Sequence, residues 1–184
     1  MTASTGNHAM AVLHAYRQAS RLFPSRPAAA RPIVFVPTTV APHKAERLAR
    51  GGAEVRKVGE QCVETEAAAR ALATELGVPF VSPYNDPFIA GGQGSLAVEA
   101  MACLPRGPLK VFVPVGGGGL IAGVAAMLKT AGGGDVEVHG CEPAASDAMQ
   151  RGVRAGRVLE PGEWPEVSGP GVCGARSWKR IGAE

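Results

Sequence analysis

Residues 111–126 carry the sequence VFVPVGGGGLIAGVAA, in which four consecutive glycines separate two apolar segments. The first segment, Val111 to Val115, is short and rich in valine, which indicates a strand buried on both faces. The second segment begins at Leu120 and contains several alanines, which favours a helix. Glycine loses much conformational freedom on folding, so four in a row are costly and require an explanation. The usual explanation is that an anion, most often a phosphate, lies against the glycine N–H groups at the positive helix N-terminus.

The rest of the chain alternates strand-like apolar runs with alanine-rich helical patterns. This alternation predicts an α/β fold with one parallel sheet or two, flanked by helices. The predicted strands are Ile33–Val36, Glu54–Val58, Pro79–Ser82, Leu109–Val115 and Val136–Cys141. The predicted helices are Asn7–Ala19, Pro42–Arg50, Cys62–Leu76, Gly94–Leu104, Leu120–Lys129 and Pro143–Arg151. An extended surface loop is expected over Ala19–Pro32, and little regular structure is expected from Leu159 onward.

Composition excludes several classes of function. Hydrophobic residues make up 46% of the 184 residues and the net charge is +3, so we expect a packed core and no nucleic-acid partner. The four cysteines lack CxxC spacing, which is typical of reduced thiols in the cytoplasm; they are Cys62, Cys103, Cys141 and Cys173. The glycines and Pro114 interrupt the longest apolar stretch, and the N-terminus does not resemble a signal peptide. No membrane segment is therefore predicted.

A second candidate site is the pentapeptide Ser4-Thr5-Gly6-Asn7-His8, which directly precedes a helical pattern. In one interpretation, Ser4 or Thr5 caps this helix through its side-chain oxygen. In the other, the N–H groups at the helix start and the hydroxyls hold a carboxylate, and Asn7 offers its amide to a ligand oxygen. A third segment, SPYNDP at residues 82–87 followed by GGQG at 91–94, predicts a turn and the start of a helix. In context, this segment would form a wall between two lobes.

The glycine loop has three interpretations that differ in their ligand. A Walker-type loop requires Lys-Ser/Thr after the glycines, and an apolar pair stands there, so this interpretation fails. Gly117, Gly119 and Ala122 form a loose dinucleotide fingerprint, with Glu142 at the end of the next strand, where a ribose-binding acid would lie. Tight packing of the strand against the helix explains one or two glycines but explains four poorly.

Together, these motifs resemble those of the threonine/serine dehydratase and serine racemase family. These are pyridoxal-phosphate (PLP) enzymes with the fold of the tryptophan synthase β-subunit, fold type II. The resemblance rests on Ser4–His8, Gly92–Gly94, Val115–Leu120 and Gly140–Pro143, and it covers roughly residues 2–158. It implies open parallel sheets flanked by helices, divided into a small substrate-side lobe (residues 1–88), part of a large cofactor-binding lobe (89–158) and an irregular tail (159–184).

The resemblance also implies the residues that bind the cofactor. In this family the tetraglycine loop holds the cofactor phosphate, and the asparagine of the first motif hydrogen-bonds the ring hydroxyl oxygen. The asparagine here is Asn7. The corresponding phosphate-binding residues are Gly116, Gly117, Gly118, Gly119 and, through its amide, Leu120.

The substrate-binding residues follow from the same resemblance. The family's first motif receives the substrate carboxylate, and the matching residues are Ser4, Thr5, Asn7 and His8. In racemising members a serine at the position of Thr5 acts as an acid/base. Thr5 keeps the hydroxyl, so it is a candidate for that role.

Two features depart from the family pattern. Some members bind a divalent cation through residues matching Glu142, the carbonyl of Ser146, and Ala148; alanine cannot ligate a metal, so no metal is predicted. The Schiff-base lysine of the family lies upstream of the first motif, whereas Lys44 matches a different family lysine and only three residues precede Ser4. We therefore expect a chain that is truncated at both ends and inactive or incomplete by itself. We also expect poor solubility, because a partial large lobe would expose sheet edges.

The leading hypothesis is PLP-dependent β-elimination, which deaminates L-threonine or L-serine to a 2-oxo acid and ammonia. The resemblance implies a small amino-acid substrate and a homo-oligomer in the full-length family. Composition, the cysteines and the interrupted apolar stretch predict a cytoplasmic location and no nucleic-acid or membrane partner. The residues do not separate serine from threonine, or dehydratase from racemase. Two alternatives stay open: a non-catalytic remnant that binds phosphate-bearing ligands, and a fragment of a dinucleotide-binding oxidoreductase.

Overall fold

The computed structural model describes residues 1–24, 31–104, 107–131, 135–144, 146–159, 163 and 178–181, the last four as backbone only. The chain divides into two compact units, Met1–Pro83 and Tyr84–Glu184. Each unit has a three-stranded sheet and its own helices. The predicted α/β fold with two sheets is confirmed.

The first unit contains strands β1 (Thr2–Ala3), β2 (Ile33–Val36) and β3 (Glu54–Lys57), and helices α1 (Asn7–Leu22), α2 (Pro42–Arg50) and α3 (Cys62–Glu75). Its strands are parallel, in the order β1-β2-β3. The core includes Leu13 of α1, Val34 and Val36 of β2, and Leu48 of α2, each at most 1% exposed. Burial of these apolar side chains holds α1 and α2 against the sheet.

The second unit contains strands β4 (Leu109–Pro114), β5 (Val136–Pro143) and β6 (Trp178–Ile181), and helices α4 (Pro87–Met101), α5 (Gly119–Ala131) and α6 (Ala148–Ala155). Strand β5 lies between β4, which is parallel to it, and β6, which is antiparallel. Ala97, Val113, Val124 and Leu128 form the core that joins α4 and α5 to the sheet.

Helix α4 begins seven residues before the predicted start at Gly94. The Asp86 carboxylate accepts hydrogen bonds from the amides of Phe88 (2.8 Å) and Ile89 (3.2 Å), and Pro87 occupies the first helical turn. An aspartate cap followed by proline is a strong start signal, so the predicted helix start was wrong. The glycines at 91–94 lie inside α4.

Two other predicted elements differ from the structure. Pro79–Ser82 forms no strand, although the N–H of Val81 donates to the carbonyl of Met1 (2.8 Å) beside β1. Helix α6 begins at Ala148 instead of Pro143, because β5 continues through Pro143. The remaining predicted helices and strands are confirmed within a few residues.

Regions expected to be irregular contain some regular structure. Helix α1 extends to Leu22, three residues into the expected loop, and residues 25–30 lie outside the described part of the chain. The tail contains β6, which pairs with β5 so that Ile181 lies opposite Gly140. Cys62, Cys103 and Cys141 are free thiols, and Cys173 lies outside the described residues. No helix in the described ranges combines the length and apolar character needed to cross a membrane.

Candidate functional site

Both predicted motifs follow the carboxyl end of a parallel strand. Ser4–His8 follows β1 and leads into α1 in the first unit, and Gly116–Gly119 follows β4 and leads into α5 in the second. Open α/β sheets bind ligands at the carboxyl ends of their strands. Each unit therefore places one anion-binding candidate at the end of the sheet where a ligand is expected.

The glycine loop turns the chain from β4 into α5. The N–H of Val115 still donates to the carbonyl of Cys141 (2.8 Å), and the carbonyl of Gly118 accepts a helical hydrogen bond from Ala122 (3.0 Å). The first N–H groups of a helix have no acceptor inside the helix. The first turn of α5, which begins at Gly119, contains no acidic residue. These features make the loop an attractive site for an anion.

The local constraints on the side chain differ among three glycines of the loop. A Cβ atom on Gly117 would overlap the aromatic ring of Tyr84. Gly118 has a φ angle of +87°, which other residues adopt only with strain. Gly116 has neither constraint, because its φ is not positive and no atom lies within 4 Å of the position of its missing Cβ. The packing of the protein accounts for Gly117 and Gly118, whereas the bare backbone at Gly116 is open to a ligand.

No side chain caps the start of α1. The N-cap residue is Gly6, which has no side-chain capping hydrogen bond. The hydroxyl of Ser4 instead accepts a hydrogen bond from the N–H of Gly6 (3.2 Å) and closes a turn before the helix. The interpretation in which Ser4 or Thr5 caps α1 is therefore wrong, because the helix begins at Asn7 and places Gly6 at the cap position.

A cavity of about 320 Å³ lies beside this motif and is lined in part by Thr5 and Asn7. Three side chains of α2, His43, Lys44 and Arg47, also line it. None of the lining residues is acidic, so the cationic side chains of Lys44 and Arg47 add to the positive potential at the N-terminus of α1. The electrostatics of the cavity favour a carboxylate or phosphate group.

Sequence reasoning missed the basic residues of this cavity. The available signal was the spacing of His43, Lys44 and Arg47, which places them on neighbouring rows of one helix. Their position beside Asn7 depends on how α1 and α2 both pack on β2, through Leu13 and Leu48. That packing cannot be read from either helix separately.

The side chain of His8 is bound within the first unit. Its Nε2 lies 3.0 Å from the hydroxyl of Thr2 and 3.2 Å from the carbonyl oxygen of Val81. Burial lowers the pKa of His8, and the hydrogen bond to Val81 opposes this shift. Because the protein occupies Nε2, a ligand has access only to the backbone or the other ring nitrogen of His8.

Glu142, which the dinucleotide interpretation required, is bound to α6. It is 3% exposed, and its two carboxylate oxygens accept hydrogen bonds from the amides of Met149 (2.9 Å) and Gln150 (2.8 Å). A ribose hydroxyl would have to displace these amides. Neighbouring Asp147 pairs with Arg151 (2.7 Å). Within the described residues, no group of three or more His, Cys, Asp or Glu side chains is placed to hold a metal ion.

Nearly the whole chain matches one protein family. Residues 1–182 match the family described as "Pyridoxal-phosphate dependent enzyme". The chain belongs to this family. The expected relationship to PLP enzymes of fold type II is thereby confirmed, and the dinucleotide interpretation is overturned.

Similar proteins carry threonine and serine dehydratase names. The chain is 36% identical over 167 residues to L-threonine dehydratase biosynthetic IlvA of Burkholderia multivorans, covering 89% of this chain and 31% of that protein. It is 33% identical over 182 residues to L-serine dehydratase/L-threonine deaminase of Homo sapiens, covering 98% and 51%. The structure of the processed form of threonine deaminase isoform 2 from Solanum lycopersicum has a TM-score of 0.74 at 30% identity, covering 86% and 41%. The chain spans about a third to a half of the length of these proteins.

The glycine loop fits the phosphate of PLP. It offers backbone donors at the N-terminus of a 13-residue helix, with no acidic side chain in the first turn. The open space at Gly116 lets an anion approach the backbone without meeting a Cβ atom. The donor set and the local shape therefore agree with a phosphate group.

Proposed function

We propose that this chain takes part in the PLP-dependent deamination of L-threonine or L-serine to a 2-oxo acid and ammonia. The observation that carries the proposal is the bare, unobstructed backbone at Gly116 beside the N-terminus of α5. The dehydratase names of the similar proteins support the reaction. A small amino-acid substrate, a homo-oligomeric assembly and a cytoplasmic location are parts of the same proposal.

In the second unit, we assign the cofactor phosphate to the backbone amides of Gly116–Gly119 and Leu120. Such amides act as hydrogen-bond donors toward phosphate oxygens, and the dipole of α5 adds electrostatic attraction. When bound, PLP supplies an electron sink that makes the α-proton of an amino acid acidic. The residues of this unit contribute binding and orientation of the cofactor.

In the first unit, we assign the substrate carboxylate to the loop of Ser4, Thr5, Asn7 and His8. The cavity beside Thr5 and Asn7 supports this assignment, because its cationic lining favours a carboxylate over a neutral group. Asn7 is also assigned to the ring hydroxyl oxygen of the cofactor. The half-buried hydroxyl of Thr5 is a candidate proton carrier for racemisation.

A second candidate function is binding without catalysis. A remnant that keeps the glycine loop would bind PLP or another phosphate-bearing ligand and release no ammonia. The open backbone at Gly116 favours this function as much as it favours the lyase, because it concerns the phosphate alone. Binding and turnover therefore need separate measurements.

The binding step is tested by Gly116→Ala. We expect this variant to bind PLP at least about tenfold more weakly, because its methyl group enters the space assigned to the phosphate. Its free energy of unfolding should stay near that of the wild type, since no protein atom lies near the added methyl. The dissociation constant is measured by equilibrium dialysis, and stability by urea denaturation.

Gly91→Ala is the matched control for this experiment. Gly91 lies in α4 of the same unit and also has open space at the position of its missing Cβ. This variant should bind PLP as the wild type does. Equal PLP affinity of Gly116→Ala and the wild type would contradict the phosphate assignment.

The reaction is tested by incubating the PLP-loaded protein with L-threonine, L-serine and their D-enantiomers. The lyase predicts release of a 2-oxo acid and ammonia in equal amounts from at least one L-amino acid. Racemisation without ammonia would favour the racemase, and PLP binding without either product would favour the non-catalytic remnant.

A further inference from the structure

Thr2, His8 and the carbonyl group of Val81 form a hydrogen-bonded cluster in the first unit, which we call the Thr2–His8–Val81 cluster. Thr2 is fully buried, and its hydroxyl donates to the carbonyl oxygen of Val81 (2.8 Å). Nε2 of His8 lies 3.0 Å from the same hydroxyl and 3.2 Å from the same carbonyl oxygen. The cluster joins β1, the first turn of α1 and a segment more than 70 residues away.

The partners of His8 determine its tautomer. A carbonyl oxygen can only accept hydrogen bonds, and the single hydroxyl proton of Thr2 is already directed to Val81. Both contacts therefore require a proton on Nε2 of His8. The neutral ring then carries no proton on Nδ1.

The segment that His8 contacts is also held to β1 through its backbone. The N–H of Val81 donates to the carbonyl of Met1 (2.8 Å), and the amino group of Met1 donates to the carbonyl of Pro79 (2.9 Å). These bonds hold the segment at residues 79–81 against the start of the chain. The side chain of His8 adds the contact that connects this segment to α1.

We propose that His8 is a positioning residue, which holds the loop of Ser4–Asn7 in its carboxylate-receiving conformation by tying α1 to Thr2 and Val81. The loop lies between the two ends of this connection, because β1 ends at Ala3 and α1 begins at Asn7. Fixing both ends reduces the conformational freedom that the loop would lose on binding a ligand. This role rests on the proposed function for its substrate, whereas the cluster itself does not.

The ionisation of His8 gives the role a pH dependence. Burial lowers the pKa of His8, so the folded arrangement favours the neutral ring. The stabilisation is complete above the ordinary histidine pKa of about 6.5 and is lost as the pH falls toward the lower folded value. The amino group of Met1, whose pKa is also lowered by burial, donates to the carbonyl of Pro79 in the segment that His8 contacts.

The cluster is tested first by NMR on the wild-type chain without ligand. Long-range ¹H–¹⁵N spectra of the imidazole should show the Nε2-protonated tautomer of His8 at neutral pH and a pKa below about 6.5. Hydrogen exchange of the Val81 amide should be slow, and it should accelerate in His8→Leu. An Nδ1-protonated ring, or unchanged exchange in His8→Leu, would overturn the cluster whether or not the chain binds PLP.

The positioning role is tested with L-threonine as the probe on PLP-loaded protein. We expect His8→Leu to bind L-threonine about tenfold more weakly and PLP as tightly as the wild type. His8→Gln should restore the affinity, because its amide places an N–H donor near the position of Nε2. We expect the L-threonine affinity of the wild type to decrease at acidic pH, where His8 becomes protonated, and the affinity of His8→Gln to lack this decrease.

The control variant is His14→Leu, which removes an exposed histidine from the same helix; it should leave the L-threonine affinity unchanged. Unchanged L-threonine affinity in His8→Leu, or failure of His8→Gln to restore it, would overturn the positioning role. Failure of the wild type to bind PLP or L-threonine would instead contradict the proposed function.

Discussion

A glycine can be required by a neighbouring side chain, by its own backbone conformation, or by a ligand. The loop after β4 contains an example of the first and of the second, and our proposal assigns the third to Gly116. Tyr84 excludes a side chain from Gly117, a positive φ excludes one from Gly118, and Gly116 faces open space. The three substitutions to alanine should therefore have different effects. Only Gly116→Ala should weaken ligand binding while leaving the free energy of unfolding near that of the wild type.

At Gly117, alanine should lower the free energy of unfolding by about 1–3 kcal/mol, because the added methyl overlaps the ring of Tyr84. In a Tyr84→Ala background the same substitution should cost much less, since the ring is gone. Urea denaturation of the two single variants and the double variant completes a double-mutant cycle. A cost at Gly117 that is independent of Tyr84 would contradict the packing explanation.

At the scale of secondary-structure elements, the main feature is that the backbones of α4 and α5 lie in close contact. A Cβ atom on Gly123 would overlap the carbonyl oxygen of Ala90, and one on Gly94 would lie 3.1 Å from the carbonyl oxygen of Gly123. Backbone atoms cannot yield as a flexible side chain can. These glycines therefore allow the two helices to approach each other closely. The glycine loop directly precedes α5, so this packing also positions the loop.

Gly123→Ala should therefore destabilise the second unit by about 3 kcal/mol, toward the upper end of the overpacking range. Hydrogen exchange should accelerate in α4 and α5 while the amides of β2 in the first unit keep their protection. Gly91→Ala, in the neighbouring helix α4 and with open space at the position of its missing Cβ, is the control. Equal stability of Gly123→Ala and the wild type would show that the helices can move apart without cost.

At the scale of the whole molecule, large apolar side chains remain at the surface of the second unit. Phe88 is 89% exposed, Phe112 61% and Val98 51%. Exposed apolar surface of this kind promotes association, and the poor solubility expected from the sequence stays a prediction. The exposure of α4 in particular suggests where association begins.

We predict that Phe88→Lys combined with Val98→Lys lowers the static light scattering of concentrated samples. The substitutions remove apolar surface from α4 and add charge. Ser95→Lys together with Glu99→Gln raises the net charge by the same two units at exposed positions of this helix, without removing large apolar groups. If this control lowers the scattering equally, net charge and not the apolar surface controls association.

Much of the fold was predictable because its signals are local. Most of the valine-rich strand, the glycine loop and the first half of the following helix lie within the 16 residues 111–126. Helix α2 was bounded correctly by Pro42 and the glycines after Arg50. The start of α4 was also encoded locally, by Asp86 and Pro87. It was missed because the glycines at 91–94 were taken as the end of a loop, although in the structure they lie inside the helix.

The chemistry proposed for Ser4–His8 and Gly116–Gly119 rests on residue types within short stretches of sequence, since glycines or hydroxyls before a helix lie beside its free N–H groups, and it stays a prediction. Contacts between distant residues required the folded chain. Tyr84 reaches Gly117, His8 reaches Val81, and Lys44 reaches the cavity beside Asn7. These pairs are more than 30 residues apart, so their proximity depends on how helices pack on a sheet. Local periodicity in the sequence does not specify that packing.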